Sequence, residues 1–502
     1  MEKKVKKEKL SKEAKKEKRA IFVNKLKKNL VVNKTKTILL SIILIALFIV
    51  VNVMTLGADF PQYDLTENQI YTLSDASKDV LKNVKTKVNI VTYGFDETSN
   101  LVSLIKQYVA SNPEYITFEL LTEESNNSKV QKYGLSSGYM VVILESGDKY
   151  KLIDAQSEFT VYDNTVYGVV DRTEQVITNG ILGLDSNTTI KKIYIVDGHG
   201  EYTEEETYTT LKSIGVENFE YQRINLITSE LDLGDDDVLV ILSPTNDINE
   251  IELNKLKEYT NKGVNVLYTQ DYTEDTLPNF TSFLSDYGVS VVNGYIIETD
   301  SKYTADKESI YFMPHVSSTH EITSEIYSDG YYMLLSQAGK LTFSSDEVLS
   351  GLKVEREDLL KTSAEAIFTS NLDDLEVATN TMETGEFVLG SILTKTVGKQ
   401  NDKDIKSELI VMSTGSFITD YYVSEQSPVS ISNIGRNRDF FINSISELTD
   451  KTNYLKIRKG MDSSTFESTL EQRRIVLVIC ILIPVTIVIL GIVIYKLRKR
   501  RK

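Results

Sequence analysis

The chain is poor in the residues that support covalent and thiolate chemistry. Its 502 residues include one cysteine, Cys480, three histidines and no tryptophan. A single cysteine excludes an intrachain disulfide and a metal cluster built from several thiolates. Because Cys480 lies in an apolar stretch near the C-terminus, the rest of the chain has no cysteine nucleophile.

Two common enzyme motifs are also absent. The sequence has no G-x-S-x-G nucleophile elbow and no Walker A phosphate loop, which excludes the chemistry that depends on those loops. Ser243 and Ser413 follow apolar runs, but neither has an evident base partner in the sequence. We therefore predict no catalytic residues and no cofactor, and we expect that the chain is not an enzyme.

Two long apolar stretches are present, one near each end. Residues 38–56 and 475–495 contain no charged residue over 19 and 21 positions, respectively. As helices they would extend about 30 Å, the thickness of the hydrocarbon core of a bilayer. A cleaved signal peptide is the alternative for 38–56, but its charged and apolar regions are both too long and LGADF is a poor cleavage site. We predict two transmembrane helices.

The distribution of charge predicts the orientation of these helices. Residues 1–37 carry 15 Lys/Arg and 4 Asp/Glu, and residues 496–502 carry six Lys/Arg, although the whole chain has a net charge of −16. Basic flanks stay in the cytoplasm beside anionic lipid. We predict a cell-membrane protein with a basic cytoplasmic arm (1–37), a basic cytoplasmic tail (496–502) and an extracytoplasmic segment (57–474). The acidic middle argues against nucleic-acid binding there.

Residues 57–188 have the pattern of a first α/β domain. Ser74 is a predicted helix N-cap. The pattern predicts strands at 88–93 and 115–121, a hairpin of 139–144 with 149–153, and helices at 101–110, 128–133 and 174–184. This order is that of a thioredoxin-like domain. The stretch GFDETSNL, at the position of the redox motif, has no Cys-x-x-Cys pair, so we predict this fold without its chemistry.

The pattern of residues 189–472 predicts a second α/β domain. Apolar strands at 193–196, 238–242 and 264–269 alternate with helices, which is typical of a parallel sheet covered on both faces. The pattern further predicts a helix at 204–214 and an unbroken strand at 289–298. Residues about 300–400 are less regular and are predicted to be strands and loops inserted into, or appended to, the α/β unit. The α/β pattern resumes with a strand at 407–413, a helix at 437–448 and a closing strand at 454–458. A helix at 249–261 is predicted to turn inward the side chains of Ile251, Leu253, Leu256 and Tyr259.

The sequence DGHGE is the sharpest local signal for a site. It lies where the first strand of the second domain ends and a helix is predicted to begin, which is the usual ligand position in open α/β sheets. The glycines allow close backbone approach, a helix N-terminus favours an anion, and a His beside a Glu can relay a proton or bind metal. The alternative is a tight turn in which the histidine bonds its own loop. Our candidate ligand-binding residues are Asp197, Gly198, His199, Gly200 and Glu201.

Two other groups resemble metal ligands but lack the necessary partners. His315 and His320 are five positions apart and have no further His or Cys nearby in the sequence. The acidic loop has neither the glycine nor the distal Glu of an EF-hand, so we interpret it as a solvated turn; its acidic residues are Asp232, Asp235, Asp236 and Asp237. We predict no metal site.

Several motifs together resemble the GldG family, the gliding-motility-type auxiliary subunits of ABC transporters. These motifs are YDLTENQIYTLSDASKDVLKNV after the first apolar stretch, IYIVDGHGE, DVLVILSP, GVNVLYTQDY, and RNRDFFINSISELT followed by YLKIRKG. The resemblance covers nearly all of 57–474. It implies a partner permease and a cytoplasmic ATPase on separate chains. It also implies that the second domain resembles the glutamine amidotransferases.

The sequence departs from amidotransferase enzymes because VLYTQDY has no cysteine at the strand end where their nucleophile lies. The family's tryptophan-containing segment is also altered. We therefore expect a non-catalytic, membrane-anchored extracytoplasmic accessory subunit of an ABC transport complex. The alternative is an extracytoplasmic ligand-binding or sensor module that uses the DGHGE loop, and a hydrolase dependent on His199 ranks third.

Overall fold

The computed structural model describes residues 71–122, 128–163, 168–186, 190–229, 231–235, 237–304, 310–328, 332–370, 382–424, 430–449 and 459–461, together with the single residues 20 and 372. The chain divides after Leu65 into two compact units, and all of the ranges above belong to the second unit. Both predicted spans, the tail, the closing strand and all of the basic arm except residue 20 lie outside the described residues. None of the helices in the described ranges has the length and apolar character that crossing a membrane requires.

The part of the chain from 71 to 186, here called the N-terminal region, alternates helices and strands. Its helices are α1 (Asp75–Leu81), α2 (Asn100–Ser111), α3 (Ser128–Lys132), α4 (Ala155–Glu158) and α5 (Thr173–Leu184). Its strands are β1 (Val88–Tyr93), β2 (Ile116–Leu121), β3 (Val141–Ser146), β4 (Lys149–Asp154), β5 (Thr160–Asp163) and β6 (Gly168–Asp171).

The first four strands of the N-terminal region form one mixed sheet. Their order is β2-β1-β3-β4, with β1 parallel to β2 and β3 antiparallel to both β1 and β4. Ser74 caps α1 by accepting a hydrogen bond from the backbone N–H of Ser77, as the sequence predicts. Helix α5 packs closely on the sheet, since a Cβ at Gly180 would lie 2.4 Å from Cδ1 of Leu144.

The part of the chain from 190 to 449, here called the C-terminal region, is larger. Its helices are α6 (Tyr208–Val216), α7 (Glu250–Asn261), α8 (Pro278–Ser285), α9 (Glu321–Ser328), α10 (Asp346–Leu352) and α11 (Asn437–Leu448), with 3-10 turns at Ser416–Ile418 and Ile431–Asn433.

The strands of the C-terminal region are more numerous than the sequence predicts. They are β7 (Lys191–Val196), β8 (Phe219–Ile224), β9 (Val238–Leu242), β10 (Asn265–Thr269), β11 (Val289–Val292), β12 (Tyr295–Ile297), β13 (Tyr311–Phe312), β14 (His315–Val316), β15 (Leu335–Ser336), β16 (Lys340–Phe343), β17 (Val354–Lys361), β18 (Ile367–Thr369), β19 (Glu383–Thr384), β20 (Val388–Gln400) and β21 (Lys403–Met412). A last strand, β22 (Lys459–Met461), pairs antiparallel with β6 of the N-terminal region.

A ten-stranded mixed sheet organises the C-terminal region. Its main path is β11-β16-β20-β21-β10-β9-β7-β8; off this path, β17 pairs with β20 and β14 pairs with β17. The strands from β21 to β8 are parallel to one another, whereas β16, β17 and β20 pair antiparallel. The chain is therefore a mixed α/β protein whose sheets contain parallel strands, as predicted.

The parallel part of the large sheet is covered on both faces, which explains its continuous apolar strands. In β9, Val238, Val240 and Leu242 pack into one apolar cluster, while Leu239 and Ile241 pack into another on the opposite face. Each fully buried Val, Leu or Ile side chain contributes roughly 1.5–3 kcal/mol to folding. Burial on both faces fixes the position of β9 and of the carboxyl edge of the sheet beside it.

One strand prediction for this region is wrong. The predicted strand at 289–298 is two strands, because β11 pairs with β16 in the large sheet whereas β12 pairs with β18 in a separate small sheet. The irregular stretch about 300–400 contributes β16, β17 and β20 to the large sheet itself. Strand β20 leads into β21 through a two-residue turn in which Asn401 and Asp402 both have positive φ, a hairpin geometry that these residue types tolerate.

Candidate functional site

The DGHGE loop leaves β7 at the carboxyl edge of the parallel strands, as predicted. Asp197 is half-exposed, and its carboxylate lies 3.3 Å from Nε of Arg223 on β8. By contrast, His199 and Glu201 are buried, with 7% and 4% of their surface exposed. The loop therefore presents one carboxylate at the surface and turns its histidine and glutamate into the protein.

Glu201 closes the loop on itself. Its Oε2 atom accepts hydrogen bonds from the backbone N–H of Gly198 at 3.0 Å and of His199 at 2.7 Å. Its Oε1 atom lies 3.2 Å from Nδ1 of the His199 ring. The two backbone donors that an external anion would use are thus taken by a carboxylate of the same loop.

The other ring nitrogen of His199 contacts a second carboxylate, on helix α7. Nε2 lies 3.1 Å from Oε1 of Glu252, whose exposed fraction is 3%. Oε2 of Glu252 accepts from the backbone N–H of Asn249 and completes the capping box at the start of α7. A histidine placed between two carboxylates donates from both nitrogens only when it is protonated. His199 therefore joins the loop to α7 through both ring nitrogens, and these contacts favour its protonated form.

These contacts change the proton affinity of the histidine. The hydrogen bond to Glu201 is the largest cause that raises the pKa of His199, and the charges of Glu201 and Glu252 raise it further, while burial opposes them. The net shift is upward, so the imidazolium is stabilised in the folded protein relative to the unfolded chain.

We expect His199→Gln to remove a pH-dependent part of the stability. Because the folded-state pKa of His199 is raised, its stabilisation is complete below the unfolded pKa of about 6.5 and is lost as the pH rises through the folded value. The Tm of the wild-type chain should therefore fall more steeply than the Tm of His199→Gln as the pH rises above about 6.5. His315→Gln, at an exposed histidine, is the control and should keep the wild-type slope. Equal slopes for the wild type and His199→Gln would show that the imidazolium contact does not form.

The glycines of the loop are required by packing against the turn that follows β9. Gly200 has φ 75°, and a Cβ there would lie 2.0 Å from Oγ1 of Thr245. Directly beside it, the carbonyl oxygen of His199 accepts from the backbone N–H groups of Thr245 and Asn246 at 2.9 and 2.8 Å. The glycine at this position serves the contact between two loops of the protein itself.

We expect Gly200→Ala to lower the unfolding free energy by about 1–2 kcal/mol, because the left-handed backbone is strained for alanine and the methyl group meets Thr245. Gly215→Ala is the matched control, since Gly215 lies in α6 and a Cβ there would meet no atom within 4 Å. That substitution should be neutral or stabilising by a few tenths of a kcal/mol to about 1 kcal/mol. Thermal unfolding of both variants measures their stabilities, and equal losses of stability in Gly200→Ala and Gly215→Ala would contradict this prediction.

The predicted helix N-terminus beside the loop is not there. The segment after Glu201 forms turns, and α6 begins only at Tyr208. In its first turn, the backbone N–H of Thr209 already donates to Oδ2 of Asp420 at 2.9 Å. The prediction of a helix from 204 placed the anion-binding end of α6 next to His199, and this part of the site prediction is wrong.

A second polar cluster at the same edge was not predicted. Asp271, just beyond β10, accepts at Oδ1 from the hydroxyl of Thr414 and from the backbone N–H groups of Gly415 and Ser416, at 2.8, 2.9 and 3.2 Å. Its Oδ2 accepts from the hydroxyl of Tyr202 at 2.8 Å. Burial first and Asp271 second raise the pKa of Tyr202, so the phenol keeps the proton that it donates. Polar residues directly after several parallel strands were the signal that could have found this cluster.

The two serines noted in the sequence lie at the same edge but do not contact the histidine. Ser243 has a positive φ of 52°, and its hydroxyl is 3.0 Å from Oγ1 of Thr269. The hydroxyl of Ser413 is buried without a hydrogen-bond partner in the described part of the chain. Both nitrogens of His199 are directed at carboxylates, so these residues do not form a serine–histidine pair.

The other candidate ligands are also separate. His315 is exposed and its ring stacks against Tyr303 with centroids 4.2 Å apart, whereas Nδ1 of His320 accepts from the backbone N–H of Ile322 at the start of α9. Asp237 accepts from the backbone N–H of Gly234 within its own turn. Across the described ranges, no three His, Cys, Asp or Glu side chains are grouped to hold a metal ion. Asp236 lies outside those ranges.

Comparison with known proteins finds only weak structural similarity. No family model and no curated protein matches the sequence. Among solved structures, the N-terminal domain of IFT52 aligns with 53% of this chain and 100% of its own length, at 13% identity and a TM-score of 0.34. A protein from Thermoplasma acidophilum, described as a putative GMP synthase subunit, aligns with 52% of this chain and 96% of its own length, at 15% identity and a TM-score of 0.25. Neither likeness supports a conclusion about function.

Proposed function

We propose that this chain is a non-catalytic, membrane-anchored extracytoplasmic accessory subunit of an ABC transport complex. In this proposal, spans at 38–56 and 475–495 hold the protein at both ends, its termini are cytoplasmic, and residues 57–474 lie outside. The permease and the cytoplasmic ATPase are separate chains. The membrane lipid is its other partner, and nucleic acid is not one. The charge pattern, the apolar stretches and the GldG-type motifs of the sequence motivate this assignment.

One structural observation supports the non-catalytic part of the proposal. The polar side chains at the carboxyl edge of the large sheet are engaged with one another: His199 with Glu201 and Glu252, and Asp271 with Tyr202 and the segment after β21. A general base or a nucleophile needs a position from which it reaches a substrate. Here the same groups join adjacent loops, which is the arrangement of a scaffold.

The finer fold assignment belongs to the same proposal. For the N-terminal region, the order β2-β1-β3-β4 with β3 antiparallel to β1 supports a thioredoxin-like fold without a redox motif. For the C-terminal region, the run of parallel strands from β21 to β8 with helices between them supports a glutamine-amidotransferase-like fold. At the end of β10, where amidotransferase enzymes have their cysteine nucleophile, this chain has Gln270 and Asp271 instead.

The alternative, a ligand-binding or sensor module that uses the DGHGE loop, is less well supported. The backbone N–H groups of Gly198 and His199 donate to Glu201, and the carbonyl oxygen of His199 is bonded to the turn after β9. An anionic ligand would have to displace a buried carboxylate from these donors. A loop whose donors are already satisfied gains little from such an exchange.

Affinity purification of the tagged full-length chain from membranes in mild detergent tests the proposed function. We expect an ABC permease and its ATPase to co-purify. In the matched control, residues 475–495 are replaced by leucines, which keeps an apolar helix of the same length but removes its specific packing surface; recovery of the permease should fall. Recovery of neither partner by the wild-type chain, while the chain itself remains folded and in the membrane fraction, would defeat the proposal.

A further inference from the structure

A group of tyrosines follows the DGHGE loop, and one of them, Tyr202, also donates to Asp271 in the polar cluster described above. Three of them are strongly exposed: Tyr208 at the start of α6, and Tyr421 and Tyr422 after the first 3-10 turn, with 59%, 49% and 62% of their surface accessible. The ring of Tyr202 contacts that of Tyr421, and Tyr221 interacts electrostatically with Tyr208. We call these five residues the tyrosine face. Clustered exposed aromatic side chains mark interaction surfaces more often than isolated ones.

Carboxylates hold the rings of the tyrosine face in place. The hydroxyl of Tyr421 donates to Oε1 of Glu206, and the hydroxyl of Tyr221 donates to Oε1 of Glu204 at 2.8 Å. The rings of Tyr202 and Tyr421 meet edge to face with centroids 6.3 Å apart. Burial, followed by the hydrogen bond to Glu206, raises the pKa of Tyr421 to about 12, so the phenol remains a donor. Rings fixed before binding lose less entropy when a partner docks.

The face also carries several carboxylates, beside Arg223, whose Nη2 donates to the carbonyl oxygen of Tyr202. The segment from 203 to 206 carries three consecutive glutamates, and Asp420 approaches it from the 3-10 segment, where its backbone N–H donates to the carbonyl oxygen of Glu206 at 2.7 Å. Glu205 is exposed. Aromatic rings and carboxylates together attract arginine and lysine side chains, through cation–π contacts and through charge.

We propose that the tyrosine face docks a protein segment rich in arginine and lysine. A carbohydrate is a poorer fit, because the phenol groups of Tyr421 and Tyr221 are already engaged with glutamates instead of facing outward as sugar-binding donors. An anionic lipid surface is also a poorer fit, because the carboxylates would repel it. The inference goes beyond the proposed function, since it assigns a surface and does not depend on which complex the chain joins.

The test uses the full-length chain in mild neutral detergent and a fluorescent nona-arginine peptide as the probe, followed by fluorescence anisotropy. We expect the double variant Tyr208→Ala/Tyr421→Ala to bind the peptide about tenfold more weakly than the wild type. Tyr139→Ala/Tyr150→Ala, which removes two exposed tyrosines of the N-terminal region, is the matched control and should bind as the wild type does. The difference should shrink at high salt.

A second pair of variants separates local charge from total charge. Glu204→Gln/Glu205→Gln should weaken binding several-fold more than Asp232→Asn/Asp235→Asn, although both variants lose two negative charges and all four residues lie at exposed positions or turns. The conservative variant Tyr208→Phe should retain binding, because it keeps the ring and the fold.

Three results would overturn the inference. The first is an equal loss of affinity in the tyrosine-face variants and in their controls. The second is unchanged peptide binding by Tyr208→Ala/Tyr421→Ala with an unaltered melting temperature. The third is binding of a neutral chitin hexasaccharide or of anionic vesicles that the tyrosine substitutions abolish while the peptide affinity stays the same.

Discussion

Glu217→Leu is expected to lower the unfolding free energy by about 3–5 kcal/mol, because it leaves a buried guanidinium without its carboxylate. The side chain of Glu217, at the end of α6, is fully buried, and Arg172 beside it is 10% exposed. One oxygen of Glu217 accepts from Nη2 of Arg172 at 3.1 Å and from Nε2 of Gln175 at 2.8 Å; the other accepts from Nδ2 of Asn179 at 2.5 Å. These bonds join α6 of the C-terminal region to α5 of the N-terminal region.

A double-mutant cycle identifies the cause of that loss. Replacing both charges, in Arg172→Leu/Glu217→Leu, removes the uncompensated guanidinium, so the double variant should be more stable than Glu217→Leu alone. Urea unfolding of the full-length chain in mild detergent, followed by circular dichroism, measures these free energies; the chain has no tryptophan for fluorescence. Strictly additive losses in the cycle would contradict a direct Arg172–Glu217 contact.

Hydrogen exchange adds a spatial check on the same variants. Because Glu217 contacts α5 from the end of α6, Glu217→Leu should speed exchange in both helices. The ten-stranded sheet should be less affected, since its core is formed by other residues. Faster exchange in α6 alone would mean that the bonds to α5 are not formed.

The sequence predicts well those elements whose signals are local. Helix α11 and strand β9 have the predicted bounds, Asn437–Leu448 and Val238–Leu242. Each has a full helical or buried-strand pattern of its own. Ser74 also caps α1 as predicted, since its side chain accepts from the backbone N–H of Ser77 three positions on. Capping and periodicity depend on neighbouring residues, so the sequence alone reveals them.

The sequence does not reveal contacts made between distant segments. Strands β16 and β17 enter the large sheet by pairing with β20, which lies far along the chain from both. The local pattern about 300–400 therefore predicted strands without assigning them to that sheet. Edge and antiparallel strands with mixed burial lack the continuous apolar run that made β9 visible. The pairing of these strands with other strands, more than their intrinsic β-propensity, determines where they form.

The candidate site shows the same division between local and distant signals. The proximity of His199 and Glu201 could be predicted because they are two positions apart. The contact between His199 and Glu252 could not be predicted, because it joins the loop after β7 to helix α7. The helical pattern instead predicted that Ile251 faces inward. Ile251 is 70% exposed, whereas Glu252 is buried. The capping box and the contact with His199 give a glutamate the inner position that an apolar residue was predicted to occupy.

Glu201→Gln is the second large effect that we expect, a loss of about 2–3 kcal/mol near pH 6, where the wild-type His199 is protonated. The amide lacks the charge that strengthens the bonds from Gly198 and His199, and its NH2 group cannot accept from Nδ1. As the pH rises through the raised pKa of His199, the wild type loses its own imidazolium contact, and the gap between the two proteins should narrow. Glu250→Gln, at an exposed position in the first turn of α7, should change the stability by less than about 0.5 kcal/mol.

This measurement also decides between the two interpretations of the DGHGE loop. Binding sites commonly keep polar groups that the folded state does not need, so their removal has little effect on stability or raises it. A scaffold residue behaves in the opposite way, because every bond it makes is internal, and for Glu201 these bonds join the loop to itself and to His199. Thermal unfolding of Glu201→Gln and of the wild type, near pH 6 and again near pH 8, measures the loss of stability and its dependence on pH. A variant as stable as the wild type at both pH values would mean that Glu201 is available to a ligand, and it would favour the sensor alternative over the scaffold that we propose.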